Sequence, residues 1–202
     1  MPKLLEQKEI RLDWSDIANR RYRKPKKLKR STGVHLSGVI KYCLGLGDQD
    51  PDEMPLCMAV GMAVEDWLIG LWPEIEWQPG EMVRDEVYAT PDGKSLISLD
   101  EPFIEEARCI DEFKATWMSR RTHGADITKE TKYMWQLAGN CHMADCTYAR
   151  LHVLWVCGEY KFGPPKPEYF TYLLQFSEEE LTKFWRGVVL ANKDCVPMER
   201  HD

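Results

Sequence analysis

Residues 151–157 read Leu-His-Val-Leu-Trp-Val-Cys, an almost unbroken apolar run. A strand of this kind has no polar face to offer water, so it belongs inside a sheet covered on both sides. The rest of the chain must supply that cover. Residues 128–145 predict a helix just before the run. After it, Ser177 and Glu180 form a capping box, with Phe176 and Leu181 as hydrophobic staple, opening a helix that runs to about Asn192. Residues 37–44 predict a short helix with Ser37 as N-cap. Residues 57–72 predict a helix that is apolar on nearly every side, and therefore buried, ended by Pro73. Strands are predicted at 81–90, 92–98, 104–115 and 168–175. This order describes an α/β fold, with one central mixed β-sheet flanked by helices. A length of 202 residues suits a single domain.

Charge narrows the function classes. Twenty-seven Lys and Arg against 33 Asp and Glu give a net charge of −6. That excludes a uniformly basic coat for nucleic acid, but not a local basic patch. Such a patch is present: residues 20–30 carry eight cations in eleven positions. This segment is either a solvated arm or a phosphate contact that releases counterions. The chain thus divides into a basic N-terminal arm, 1–34, and a folded domain, 35–202. The seven cysteines are odd in number and scattered, as expected of reduced, mostly buried thiols in a cytoplasmic protein. No apolar run reaches the roughly 18 residues of a membrane span, and the N-terminus lacks the apolar stretch of a signal peptide.

The chemistry concentrates in Thr90-Pro91-Asp92-Gly93 and in Asp111-Glu112-Phe113-Lys114-Ala115-Thr116. In an antiparallel hairpin, facing residues share a midpoint. Asp92 and Glu112 share residue 102, which is Pro102, inside the turn-forming stretch Leu99-Asp100-Glu101-Pro102-Phe103. The two carboxylates then face each other across neighbouring strands. Asp100 would pair with Glu112 about residue 106, where there is no turn chemistry, so Asp92 is the better partner. Glu112 and Lys114 project from one face of their strand with Ile110, while Cys109, Phe113 and Ala115 take the opposite, core face. Asp92, Glu112 and the backbone carbonyl of Phe113 are hard oxygen donors suited to Mg²⁺. A metal held there would acidify a bound water and neutralise charge on a phosphoryl oxygen. Lys114 could orient that water or stabilise the transition state.

Asp-x(n)-Glu-x-Lys, preceded by a helix carrying an acid, resembles the pattern of the PD-(D/E)XK nucleases. The nearest likeness is to their lambda exonuclease-like phage branch, and it spans residues 35 to 192. The resemblance implies a restriction-endonuclease-like core and a metal-dependent deoxyribonuclease using Mg²⁺ or Mn²⁺. It further implies exonuclease action on duplex DNA in phage-type recombination, in the host cytoplasm. A single-strand annealing protein would be the partner, and a homo-oligomer is plausible. An endonuclease on the same core, or a non-catalytic DNA-binding or assembly module, are the alternatives. Catalysis falls to Lys114, Glu112, Asp92 and Glu65. Glu65 on the buried helix would complete the metal shell, although a carboxylate there could equally face solvent or an arginine. Gln136 resembles a helix glutamine that fixes the site or contacts the DNA backbone; the alternative is a surface amide. The tyrosine that often follows it has no counterpart at Asn140 or Cys141. Arg120 and Arg121 would clamp a phosphate, or form a basic loop.

Other signals are weaker. Cys141, His142 and Cys146 have zinc-ligand types but lie on a helix without a second pair at zinc spacing. Only Cys195 lies beyond residue 157, too few for the C-terminal cysteine trio of cluster-bearing relatives.

Overall fold

Three strands in register build the centre of the molecule, and the apolar run is one of them. Strand β8, Tyr148–Trp155, pairs in parallel with the strand 104–116 on one side and antiparallel with 168–175 on the other. The structure, a computed structural model, describes residues 1–11, 33–46, 63–65, 67–68, 70–101, 104–157 and 166–194. Among them, strands β1 (Lys3–Ile10), β2 (Val34–His35), β3 (Glu76–Trp77), β4 (Met82–Arg84), β5 (Val87–Ala89), β6 (Gly93–Glu101), β7 (Ile104–Thr116) and β9 (Glu168–Gln175) accompany β8. The main sheet runs β1-β9-β8-β7-β6-β3, and a smaller one runs β2-β5-β4. Only β7 and β8 are parallel within the main sheet, so it is mixed, as expected.

Alternation along the strands divides two cores. Ile110, Leu151, Val153, Phe170, Tyr172 and Leu174 point to one face, where helices α3 (Thr131–Met143) and α4 (Glu178–Asn192) cover them. Helix α1 (Leu36–Cys43) packs against α3 and α4 beside this layer. Phe113, Leu154 and Tyr169 point to the other face and meet Val64, Trp67, Leu68, Leu71 and Trp72. The helical residues 63–65, 67 and 68 therefore form the opposite cover. A short helix α2, Arg120–His123, leaves the end of β7.

Several expectations need correction. The 81–90 strand is a hairpin of β4 and β5, turning at Asp85 and Glu86, both with positive φ (48° and 63°). Asp85 suits such a turn, but Glu86 stands where glycine is preferred. The turn is held from outside, because Trp185 Nε1 donates to Asp85 Oδ2 at 2.7 Å. The N-cap of α1 is His35, with Ser37 inside the first turn. The helix before Pro73 has already given way to a turn at residue 70. The strand assigned to 151–157 spans 148–155 instead. Ile110 joins the α3 core while Phe113 joins the opposite one, so β7 is buried on both faces, not one. The segment 1–34, expected to be an arm, contains β1, which pairs with β9 at the sheet edge. The cationic stretch 20–30, Gly61, Asp66, Pro102 and Cys195 lie outside the described residues. Two of the five described cysteines are buried, two half-buried and one exposed, so burial is less general than expected. Among the described residues no helix is long and apolar enough to cross a membrane.

Candidate active site

The β6–β7 register fixes the geometry. Gly93 faces Asp111 and Lys94 faces Ile110, which aligns Asp92 with Glu112 as the shared midpoint requires. The register slips only near the loop, between Ser98 and Glu101. Asp92 Oδ2 accepts a hydrogen bond from Phe113 N at 2.9 Å, anchoring the carboxylate to the neighbouring strand. Gly93 beside it is required by crowding. A Cβ there would lie 2.4 Å from Ile75 Cγ2.

Lys114 stands among oxygens. Its ammonium donates to Phe113 O at 3.0 Å, Glu112 Oε2 at 3.2 Å and Asp92 Oδ2 at 3.4 Å. Burial alone would push its pKa down, but the carboxylates of Asp92, Glu112 and Glu65 outweigh burial and hold it well above the usual lysine range. It is a cation at every physiological pH. These are the three oxygens that the spacing assigns to a hard metal ion, and here they surround a positive charge.

Glu112 is 1% exposed. Burial, then the Asp92 charge, push its pKa well up, with Lys114 opposing. Two amides on α3 complete its shell. Gln136 Nε2 donates to Oε2 at 2.9 Å, and the Asn140 side-chain amide donates to Oε1. Gln136 and Asn140 are four apart, so one face of α3 presents both to the same carboxylate. Gln136 thus sits at the site, where it touches the carboxylate. Asn140 was missed: it occupies the place of the absent tyrosine, and its four-residue spacing from Gln136 was the available signal.

Glu65 lies close by. Its Oε1 accepts from Ala115 N at 3.3 Å, one residue past the lysine. Arg120 differs from expectation. It is engaged by Glu168 and lies over the Phe170 ring, 4.9 Å from its centre, so it braces α2 against β9 instead of facing an open phosphate site. Arg121 is exposed on α2. A cavity of about 210 Å³ opens beside the carboxylates, lined by His35, Ser37, Tyr88, Thr90, Asp92, Gln136 and Asn140. Burial, with the nearby charges of Lys41 and Lys114, depresses the pKa of Lys132, so this side of α3 gathers cations.

A second polar group lies behind the first. Asp111, fully buried on the opposite face of β7, accepts from Ser95 Oγ at 2.5 Å, and His152 Nε2 lies 3.0 Å from its Oδ1. His152 Nδ1 lies 2.9 Å from Tyr169 Oη, which accepts from Trp72 Nε1 at 2.7 Å. The Asp111 carboxylate can only accept, so Nε2–H donates to it, and in the neutral ring Nδ1 accepts from the Tyr169 hydroxyl. Burial depresses the His152 pKa, against the raising effect of Asp111, so the ring is held neutral. Its plane stacks on Phe113 at 4.1 Å. Arg150 Nη1 lies 3.7 Å from Asp111 Oδ1.

No protein-family model matches the sequence, and no curated protein matches it. Solved structures do. LHK-Exo, an alkaline exonuclease from Laribacter hongkongensis, in its complex with dAMP superposes with a TM-score of 0.51 at 12% identity, over 81% of this chain and 87% of that one. The chain shares its fold with an exonuclease. A phage-related exonuclease from Haemophilus somnus 129PT aligns with a TM-score of 0.49 at 14% identity, over 79% of this chain and 78% of that one. The expected mixed α/β architecture is thus that of LHK-Exo, and it carries the Asp92, Glu112 and Lys114 cluster on its central hairpin.

Proposed function

We propose that this protein is a metal-dependent deoxyribonuclease that hydrolyses phosphodiester bonds of duplex DNA, acting as an exonuclease. One observation carries the reading: Asp92 Oδ2, Glu112 Oε2 and Phe113 O converge on a single cationic centre. The fold, shared with an exonuclease that was solved with dAMP, supports the substrate class.

The donor set fits a hard divalent cation. Mg²⁺ is commonly bound through one or two carboxylates with water filling the remaining sites, and Asp92, Glu112 and the Phe113 carbonyl match that demand. Among the described residues no three His, Cys, Asp or Glu side chains gather tightly enough to hold a metal unaided. When bound, the metal supplies an acidified water and charge neutralisation at the phosphoryl group. The chain does the rest. Gln136 and Asn140 fix the Glu112 carboxylate, so its oxygens do not turn away. Asp92 is anchored by Phe113 N. The Lys114 ammonium, held charged, can donate to a phosphate oxygen or to the attacking water and so stabilise negative charge as it develops. Glu65 adds negative charge beside β7, and we assign it to the metal shell.

The test is cleavage of linear and closed circular duplexes with Mg²⁺ or Mn²⁺ and with EDTA. An exonuclease degrades the linear duplex, spares the circle and stops with the chelator. Cutting of the circle would make it an endonuclease. Lys114→Ala should lower the rate by about a hundredfold or more, and full activity in that variant would overturn the proposal.

A further inference from the structure

We propose that Cys141 and Cys146 form a redox-active dithiol, with Cys146 as the thiol that reacts first and Cys141 as the one that resolves it. The end of α3 brings them together. Asp145 takes positive φ (50°), its N–H donates to His142 O at 3.3 Å, and Cys146 N–H donates to Cys141 O at 3.1 Å. This pair of bonds is the Schellman ending, which places the residue after the turn against the third-last helical residue. Here both are cysteines. Their Sγ atoms share one acceptor, Tyr148 O, at 3.4 Å from Cys141 and 3.7 Å from Cys146. Arg84 secures the ending by donating to His142 O at 2.5 Å and to Asp145 Oδ1 at 2.8 Å.

The two thiols differ in access. Cys141 is fully buried, whereas Cys146 is half-buried and lines a cavity of about 410 Å³ with Cys109, Lys94 and Arg108. Glu74 and Glu76 line it too, Glu76 paired with Lys94 across β3 and β6. The Cys141 thiol and the Lys94 and Arg108 charges lower the Cys146 pKa against burial, while burial raises that of Cys141. A thiolate that is partly open and has cations within reach is the reactive form of cysteine.

The co-reactant is hydrogen peroxide. The Cys146 sulfur attacks the peroxide oxygen, an S–O bond forms and the O–O bond breaks. The departing hydroxide leaves as water after taking a proton, and sulfur gives up two electrons to the peroxide. The Cys141 thiol then attacks the sulfenic sulfur, the S–S bond forms, the S–O bond breaks, and the second hydroxide leaves as water with the thiol proton. The product closes the final turn of α3, next to Asn140.

Peptide mapping of the full-length protein tests this. Trypsin releases residues 133–150, which contain Cys141 and Cys146 and no other cysteine. After about one equivalent of hydrogen peroxide, this peptide should be lighter by about 2 Da and refuse iodoacetamide, and dithiothreitol should restore both labels. Its oxidation should outpace that of the exposed Cys43 by about fivefold or more. In Cys141→Ser, dimedone should mark Cys146. If the wild-type peptide still takes two labels, or Cys43 reacts as fast, the dithiol is overturned; the wild-type readout requires no variant to fold.

Discussion

Asp111 and Glu112 are neighbours in sequence, both fully buried, and the pleat sends them to opposite faces of β7. Asp111 is enclosed. Its oxygens meet Ser95, a neutral His152 and Arg150, and the chain of donors ends at Trp72. Glu112 is poised. Its oxygens meet an ammonium and two amides, with Asp92 and a polar cavity alongside. The first carboxylate is satisfied internally, as a structural group should be. The second shares one ammonium with a neighbouring carboxylate that pushes its pKa up. Burial alone therefore does not mark a functional acid; the company it keeps does.

Substitutions can break this contrast, beginning with the largest effect. Glu112→Gln should cut the cleavage rate by about two to three orders of magnitude with little change in Tm, measured on linear duplex DNA and by calorimetry. Asp111→Ala should act in the opposite sense. It strands a buried histidine and a half-buried arginine and should cost about 3 kcal/mol in denaturant unfolding. If Asp111→Ala kept its stability and Glu112→Gln lost its own, the two roles would have to be exchanged. Asn140→Ala removes one charged hydrogen bond from Glu112. A rate loss of about tenfold, with DNA affinity unchanged in a binding titration, is expected.

The smallest effect is one of pH. Burial holds the folded His152 pKa below its unfolded value of about 6.5. The unfolded chain then binds more protons than the folded one between those two values. The stabilisation is complete above the unfolded value and is lost as pH falls toward the folded one. Unfolding free energies measured from pH 7 down to pH 5 should decline more steeply in the wild type than in His152→Gln. The difference between the two proteins isolates this group from the carboxylates. Equal slopes would remove His152 from the ledger of the enclosed face.

Much of the poised face was legible because it is local. A hairpin is a short-range object, and the midpoint at Pro102 settled which acid faces Glu112. Alternation then placed Lys114. Resemblance places Gln136 at the site, whereas Asn140 stands where that pattern carries a tyrosine and is legible only by its four-residue spacing from Gln136. The enclosed face was not legible. Asp111 finds His152 across the parallel pairing of β7 and β8, a long-range contact that no spacing rule encodes. The hairpin at Asp85 and Glu86 failed for a similar reason, since its strained turn is stabilised by Trp185 from a distant helix. Arg120 looked like a free cation because its partner, Glu168, lies on a strand further along the chain. β1 has a largely exposed, charge-rich sequence without a clear apolar face, so only its pairing reveals it as a strand.

That strand has a practical consequence. β9 carries Phe170, Tyr172 and Leu174, and its outer backbone groups are paired by β1 alone. An unpaired edge of this length invites self-association. Lys3, Glu6, Lys8 and Glu9 leave the sheet's rim studded with alternating charge. Cutting away the first ten residues would bare the apolar strand beneath and turn the protein toward aggregation, although every group around Lys114 would remain.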